Sequence, residues 1–226
     1  MNALRQALAR WWSPAAPLEP VSRLFGVDRG TPIDRRYIEQ FLGRHAAAIR
    51  GDVLEVGDDG YTRRFGGAAA RPHRLVPPAT AARPGSPVVE ASLEEPGSLP
   101  EGRFDCFVCT QTYNFVFEIG RAVESSHRLL KPGGWLLATA AAIAPISRYD
   151  MDRWGDYWRL TQASAQRLLA PWFGAAAEVV SYGNAFAATC FVRGMAVEDV
   201  SDPALLDPPD GDYPVIVAMA ARKAAP

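Results

Sequence analysis

Three short runs in fixed order constrain this chain more than any other feature: Val53-Leu-Glu-Val-Gly57, Phe104-Asp-Cys-Phe-Val-Cys109 and Leu129-Leu-Lys-Pro-Gly-Gly134. The first is an apolar strand that ends on an acid and a glycine, so main chain and carboxylate meet at a strand tip. The second is an acid opening another buried strand. The third predicts a helix over 120–130 stopped by Pro132 and two glycines, followed at once by a strand over 135–139. Alternating helices and apolar strands build an α/β fold with a parallel sheet, whose ligands lie beyond the carboxyl ends of the strands. One crevice is therefore expected to collect Glu55, Gly57 and the residues after Cys109.

At 226 residues, 48% apolar and a net charge of −1, the chain suits a single domain with a sizeable core. It lacks the basic surplus of a nucleic-acid binder, so no nucleic-acid partner is expected. No run approaches the roughly 18 apolar residues of a membrane span, and no stable membrane insertion is expected. Arg5 and Arg10 interrupt the apolar amino terminus, which makes it a poor secretory signal. Three cysteines fit a reducing cytoplasm better than a disulfide scaffold. Cys106 and Cys109 read C-x-x-C, yet three residues apart on a strand they point to opposite faces and suit packing. His45, His73 and His127 are scattered, so no metal site is expected, and His127 belongs to a helix packing away from the crevice.

Residues 1–20 pattern as an amphipathic helical extension, with Leu4, Ala7, Leu8, Trp11 and Trp12 at helical spacing before Pro14, Pro17 and Pro20. It is expected to dock on its own domain or on a partner subunit, a route to a homodimer, while residues 21–226 form one domain. Thr31-Pro-Ile-Asp34 predicts a cap and a helix running to about Ile49. Residues 67–88 are weakly patterned and must contain what remains of a second and third strand unit, with 88–90 the best short strand. A helix over 164–169 perturbed by Pro171 is expected next, then a closing pair of strands over 185–192 and 215–220. Trp154, Tyr157 and Trp158 fall at i, i+3 and i+4, one helix face, either core or a lid over an acceptor. Arg63, Arg64, Arg71, Arg74 and Arg83 form a basic run that could meet phosphate, with solvated cations the default expectation.

Together with Asp28-Arg-Gly-Thr-Pro-Ile-Asp34, residues 148–161 and Ser181-Tyr-Gly-Asn184, the three runs resemble class I S-adenosylmethionine-dependent methyltransferases. Within that class they resemble a bacterial subgroup associated with small molecules and sugars, over about residues 20–222. The resemblance implies a Rossmann-like seven-stranded sheet, mostly parallel with a carboxyl-terminal antiparallel pair. It also implies a cytoplasmic biosynthetic enzyme that uses S-adenosylmethionine, releases S-adenosylhomocysteine and methylates an oxygen or nitrogen of a small-molecule acceptor. The cofactor would meet Glu55, Gly57, Asp58, Asp59, Gly60 and Tyr61 after the first strand, Ser92 and Leu93 at the adenine, and Thr110, Gln111 and Thr112 beneath the reacting methyl. Gly57 would let the main chain approach it closely. Arg29, Tyr37, Tyr113, Arg148, Trp154, Tyr157 and Trp158 would surround the acceptor. Asp150, Asp152 and Tyr149 are the implied catalytic residues, with Asp156 a further carboxylate able to take a proton where the acceptor needs one.

The chain departs from the family in two places. Asp59 stands at the second glycine of the acid-x-Gly-x-Gly-x-Gly pattern. No acidic residue occurs between Asp59 and Glu90, where the family carries an acid for the ribose; the chain reads His73-Arg-Leu-Val-Pro-Pro78 there, and Ser92 replaces the adenine-side Asp. Such an acid contributes about 1.5–3 kcal/mol, so its loss would weaken binding about tenfold to a hundredfold. The alternative expectations are a methyltransferase fold performing a cyclisation or elimination, or a non-catalytic scaffold.

Overall fold

The computed structural model describes residues 18–78, 85–174 and 177–225. The helix expected over 1–20, apart from its last three positions, and Arg83 lie outside them. The described strands are β1 (Gly51–Val56), β2 (Ala70–Val76), β3 (Val88–Glu90), β4 (Phe104–Thr110), β5 (Leu130–Ala141), β6 (Glu178–Tyr182) and β7 (Ile216–Arg222). They form one sheet in the order β3-β2-β1-β4-β5-β7-β6. Pairing from β3 through β5 is parallel, and β7 runs antiparallel to both β5 and β6. The expected mixed sheet with its antiparallel closing pair is therefore present.

Six helices flank it among the described residues: α1 (Ile33–Arg44), α2 (Gly60–Phe65), α3 (Ile119–Arg128), α4 (Arg148–Met151), α5 (Gln162–Phe173) and α6 (Ala185–Val192). The side-chain alternation of β4 separates two cores. Cys106 and Val108 pack with Ile33, Phe41 and Phe191 of α1 and α6, whereas Phe107 and Cys109 pack with Val123, Leu169 and Phe173 of α3 and α5. Burying each such large apolar side chain contributes about 1.5–3 kcal/mol. The two cysteines are free and buried on opposite faces. His127 sits beside the rings of Trp172 and Phe173, 5.7 and 5.1 Å away, on the α3–α5 side of the sheet.

Two of the three opening sequence runs serve the base of the sheet. Lys131 Nζ donates to Asp105 at 2.7 Å and to Asp52 at 3.3 Å, and the Asp105 carboxylate also accepts the Asp52 N–H at 2.8 Å. The amino-terminal ends of β1, β4 and β5 are thus tied together opposite the strand tips.

Several expectations need correction. Residues 185–192 form a helix, not a strand, because Asn184 caps them by accepting the Ala187 N–H, and the outer strand is β6 instead. Thr31 does not cap α1; its N–H and hydroxyl both donate to Glu198, at 2.7 and 2.8 Å. The Pro-Gly-Gly turn does not end a helix, since α3 stops at Arg128 and residues 130–134 enter β5 through a shift in the β4 register. Trp154, Tyr157 and Trp158 share no helix face. The chain leaves α4 at Met151, and Gly155 at φ 96° breaks the helical path.

Replacing Asp105 by Ala removes partners from the Asp52 N–H and from Lys131, a loss of about 1–2 kcal/mol. At about 2–4 °C per kcal/mol for a chain of this length, thermal unfolding of Asp105→Ala should shift down by about 2–8 °C, with ligand binding at the strand tips unchanged.

Candidate active site

The site begins where β1 ends. Glu55 is 2% exposed, and its carboxylate accepts the Tyr61 N–H at 3.1 Å, the Thr62 N–H at 2.8 Å and the Thr62 hydroxyl at 2.7 Å. It thereby satisfies the free amides that open α2. Gly57 takes φ 81°, a left-handed turn that favours glycine, and a Cβ built on it meets no atom within 4 Å. The space at its Cα is consequently open, between Val56 and Asp58. Asp58 Oδ1 accepts the Gly60 N–H at 3.0 Å.

A cavity of about 390 Å³ opens beside this turn, within the size range of small-molecule sites. Its floor comes from the tips of β1, β4 and β5, including Glu55, Thr110, Gln111 and Ala141. One side is the segment after β5, through Pro145, Ser147, Asp150, Asp156 and Arg159. Arg159 fixes that segment: it grips Asp156 at 2.6 and 2.9 Å and donates to the carbonyls of Ala144 and Pro145. The roof is the stretch before and into α1, with Phe25, Val27, Asp34 and Arg35. It is latched to the loop after α6. Val21 N–H bonds the Arg193 carbonyl at 2.7 Å, Arg29 makes a forked pair with Asp199 at 2.7 and 2.6 Å, and Pro32 bridges Ala196.

The sequence-expected residues divide accordingly. Glu55, Asp58, Tyr61, Thr110, Gln111 and Asp150 line the cavity, and Gly57 lies between two of them. Asp59 turns aside to Arg63, at 2.9 Å, and to the hydroxyl of Ser86. Gly60 opens α2. Thr112 bonds back to the Thr110 carbonyl at 3.0 Å. Ser92 and Leu93 follow β3 outside this cavity, with the Leu93 carbonyl accepting from Ser125 at 2.7 Å.

Among the acceptor residues, Tyr37 and Tyr113 need correction. Both are buried in the core, their hydroxyls donating to the Leu206 carbonyl and to Ser126, each at 2.7 Å. Arg29 belongs to the latch. Trp158 donates to the carbonyls of Val116 and Phe117, and Tyr157 packs on the Phe117 ring at 5.3 Å, so both brace the loop after β4 outside the cavity. Arg148, Tyr149, Asp152 and Trp154 are exposed beyond the rim, with the Arg153 guanidinium 3.5 Å above the Tyr149 ring. Sequence reasoning missed Asp34, Asn114 and Phe115 in the wall. The position of Asn114 just past a buried strand was the available signal for it.

Burial pushes Glu55 up to about 7, against the pull of its three hydrogen bonds. Burial likewise raises Asp34 to about 6, against the N–H and charge of Arg35. Burial would raise Asp156 too, but Arg159 and the Ser147 N–H outweigh it and hold that carboxyl below its ordinary value. Among the described residues no group of three or more His, Cys, Asp or Glu is placed to hold a metal ion, and no helix is long and apolar enough to cross a membrane.

Comparison with known proteins agrees with this layout. Residues 72–138, from β2 into β5, match a family profile described as a methyltransferase domain. No curated protein matches the chain. An S-adenosylmethionine-dependent methyltransferase from Archaeoglobus fulgidus superposes with a TM-score of 0.55 at 11% identity, covering 84% of this chain and 94% of its own. The fold is that of the class I methyltransferases. The [4+2]-cyclase SpnF shares it, with a TM-score of 0.53 at 17% identity over 99% of this chain and 93% of its own. So does the 1,6-didemethyltoxoflavin-N1-methyltransferase of Burkholderia thailandensis, solved with 1,6-didemethyltoxoflavin and S-adenosylhomocysteine, with a TM-score of 0.51 at 16% identity over 84% and 77%.

The Glu55 carboxyl is raised in the folded chain, so its contribution to stability is complete below its ordinary value near 4.5 and is lost as pH rises through about 7. Unfolding midpoints of the wild type should therefore fall between pH 5 and pH 8. Glu55→Gln should start lower, having lost an acceptor, and show a flatter profile in which the remaining decline from Asp34 is opposed by His45 and His127, whose lowered values favour the folded chain as pH rises. Equal slopes for the two proteins would show that Glu55 does not titrate in this range.

Proposed function

We propose that this chain is a methyltransferase that binds S-adenosylmethionine at the Gly57 turn and modifies an oxygen or nitrogen of a small molecule held in the cavity. The observation that carries the reading is the left-handed Gly57, with open space at its Cα, between Val56 and Asp58 of the cavity lining and close to the buried acid Glu55. When bound, S-adenosylmethionine supplies an electrophilic methyl group for in-line displacement. The protein's part is alignment. Gly57 offers main chain without a side chain in the way, and Glu55 and Asp34 give the cationic amino-acid end a negative wall. Arg35, exposed on the roof, is positioned for its carboxylate.

The ribose end differs from the family pattern. β2 runs out in Val76-Pro77-Pro78 with no carboxylate, and Asp59 is committed to Arg63 and Ser86. Asp58 lines the cavity instead and is the acid we assign to the sugar. For an acceptor that must lose a proton, Asp150 is the base in this reading. It is the one of the three expected catalytic residues that lines the cavity, and the Ser147 hydroxyl donates to its Oδ2 at 2.5 Å. Three buried, free cysteines are in keeping with a reducing, cytoplasmic setting.

Calorimetric titration with S-adenosylhomocysteine tests the reading directly, and absence of heat at millimolar ligand would refute it. In Gly57→Ala the backbone strain is about 1–2 kcal/mol, while in this reading the new methyl occupies the ligand's place. Binding should drop by more than tenfold with only a small fall in unfolding midpoint.

A second reading is favoured by the proline end of β2: the fold performs a reaction other than methyl transfer, as its shared architecture with a cyclase illustrates. Product mass decides between them. A product lacking the added methyl and formed equally well without cofactor supports the second.

A further inference from the structure

The cavity wall contains a donor and an acceptor that the fold itself leaves unmatched. Gln111 Nε2 and Asn114 Oδ1 are both buried without a hydrogen-bond partner, and both residues line the cavity just past β4. Asn114 is 3% exposed. A buried polar group without a partner is costly, and native domains carry few. Gln111 bears a second cost, since its φ of 47° is left-handed, a conformation that non-glycine residues seldom adopt. Such an outlier points toward function when the surrounding structure enforces it. Here β5 enforces it: the Gln111 N–H donates to the Thr139 carbonyl at 2.8 Å and meets the Thr139 hydroxyl at 3.2 Å. The backbone of Asn114 is equally fixed, its carbonyl accepting the N–H groups of Tyr157 and Trp158 at 2.8 and 3.1 Å. Both side-chain amides are thus positioned by main-chain bonds, with an end of each left over.

The remaining walls select by charge and shape. Carboxyl groups of Asp34, Glu55, Asp58 and Asp150 line the cavity, and the cations facing them are Arg35, at the roof, and Arg159, which is consumed by Asp156 and by backbone carbonyls. An anionic acceptor would meet net negative charge. Phe25, Phe115 and Phe191 supply apolar surface for a flat ring.

We infer that Gln111 and Asn114 form a paired recognition element for the acceptor: an uncharged amide, lactam or N-heterocycle whose carbonyl accepts from Gln111 and whose N–H donates to Asn114, with anionic acceptors excluded. The inference rests on the cavity being the acceptor site. It does not depend on which group is transferred.

Three probes test it by ligand-observed NMR titration: 2-pyridone, with an N–H beside a carbonyl; 1-methyl-2-pyridone, which lacks the donor; and benzoate, an anion. The pairing predicts 2-pyridone binding about three- to tenfold tighter than its methylated analogue, the worth of one hydrogen bond, and no benzoate binding. Asn114→Leu should erase the preference, and Gln111→Met should weaken both pyridones. Both variants should also raise the unfolding midpoint of the unliganded protein, because each replaces an orphaned polar end by an apolar one; a merely structural amide would lower it. Equal binding of the two pyridones, binding of benzoate, no binding of 2-pyridone, or lowered midpoints with unchanged affinity overturns the inference. S-adenosylhomocysteine titration of the same samples separates the two ideas. Pyridone discrimination without nucleoside binding sinks methyl transfer alone, and nucleoside binding without discrimination sinks the recognition pair alone.

Discussion

A single buried carboxylate determines how the active end of this molecule is shaped. Glu55 takes two amide hydrogens and a hydroxyl from the first turn of α2, so the chain must reverse within four residues of leaving β1. That reversal forces Gly57 into a left-handed bend, and the bend leaves a stretch of main chain bare. Burying an acid away from water is costly, and the raised affinity of Glu55 for a proton expresses that cost. The fold retains the group because the same carboxylate both fixes the helix and charges the crevice wall.

The ionic groups divide by height along the sheet. At the base, Lys131 and Arg71 balance the charges of Asp52 and Asp105, and Lys131 with the two acids ties three strands together. At the tips, the acids gathered around the cavity outnumber the free cations, since Arg159 is bound to Asp156. Charges below hold strands together; of those above, Glu55 and Asp156 also hold the walls in place, while Asp58 and Asp150 line the cavity. A sequence motif can thus be strongly patterned and still be architectural, as Asp105 and Lys131 are.

The parts of the fold legible from sequence were those with one dominant physical signal. β1, β4 and the central run of β5 carry apolar residues on both faces because both faces are covered, and Cys106 and Cys109 fell on opposite faces as period-two geometry requires. β2 was not legible. Arg71, Pro72, His73 and Arg74 mask a strand whose polar members reach partners, Arg71 on Asp52 and Arg74 on the Ser86 carbonyl. Residues 185–192 are apolar almost throughout, and an eight-residue run of that kind fits a buried helix as well as a strand; the Asn184 cap was the deciding cue. At the site, Glu55 and Gln111 were reachable from motif order. Asp34 was not, because its proximity depends on a roof positioned by residues far away in the chain, and Asn114 offered only its place just past a buried strand. The aromatic spacing at 154–158 misled for the opposite reason: a local periodicity was overridden by one glycine.

The order of strands in the sheet has a consequence for how the molecule comes into being. β7, the last of the described strands to leave the ribosome, is an interior one, lying between β5 and β6, and the latch partners Glu198 and Asp199 precede it only shortly. A nascent chain halted before Ile216 can pair β1 through β5 but has an exposed β5 edge and no neighbour for β6. Closure of the sheet, anchoring of the roof and completion of the hollow are therefore late and nearly simultaneous, and a chain shortened at its tail loses a partition between two cores instead of a dispensable fringe.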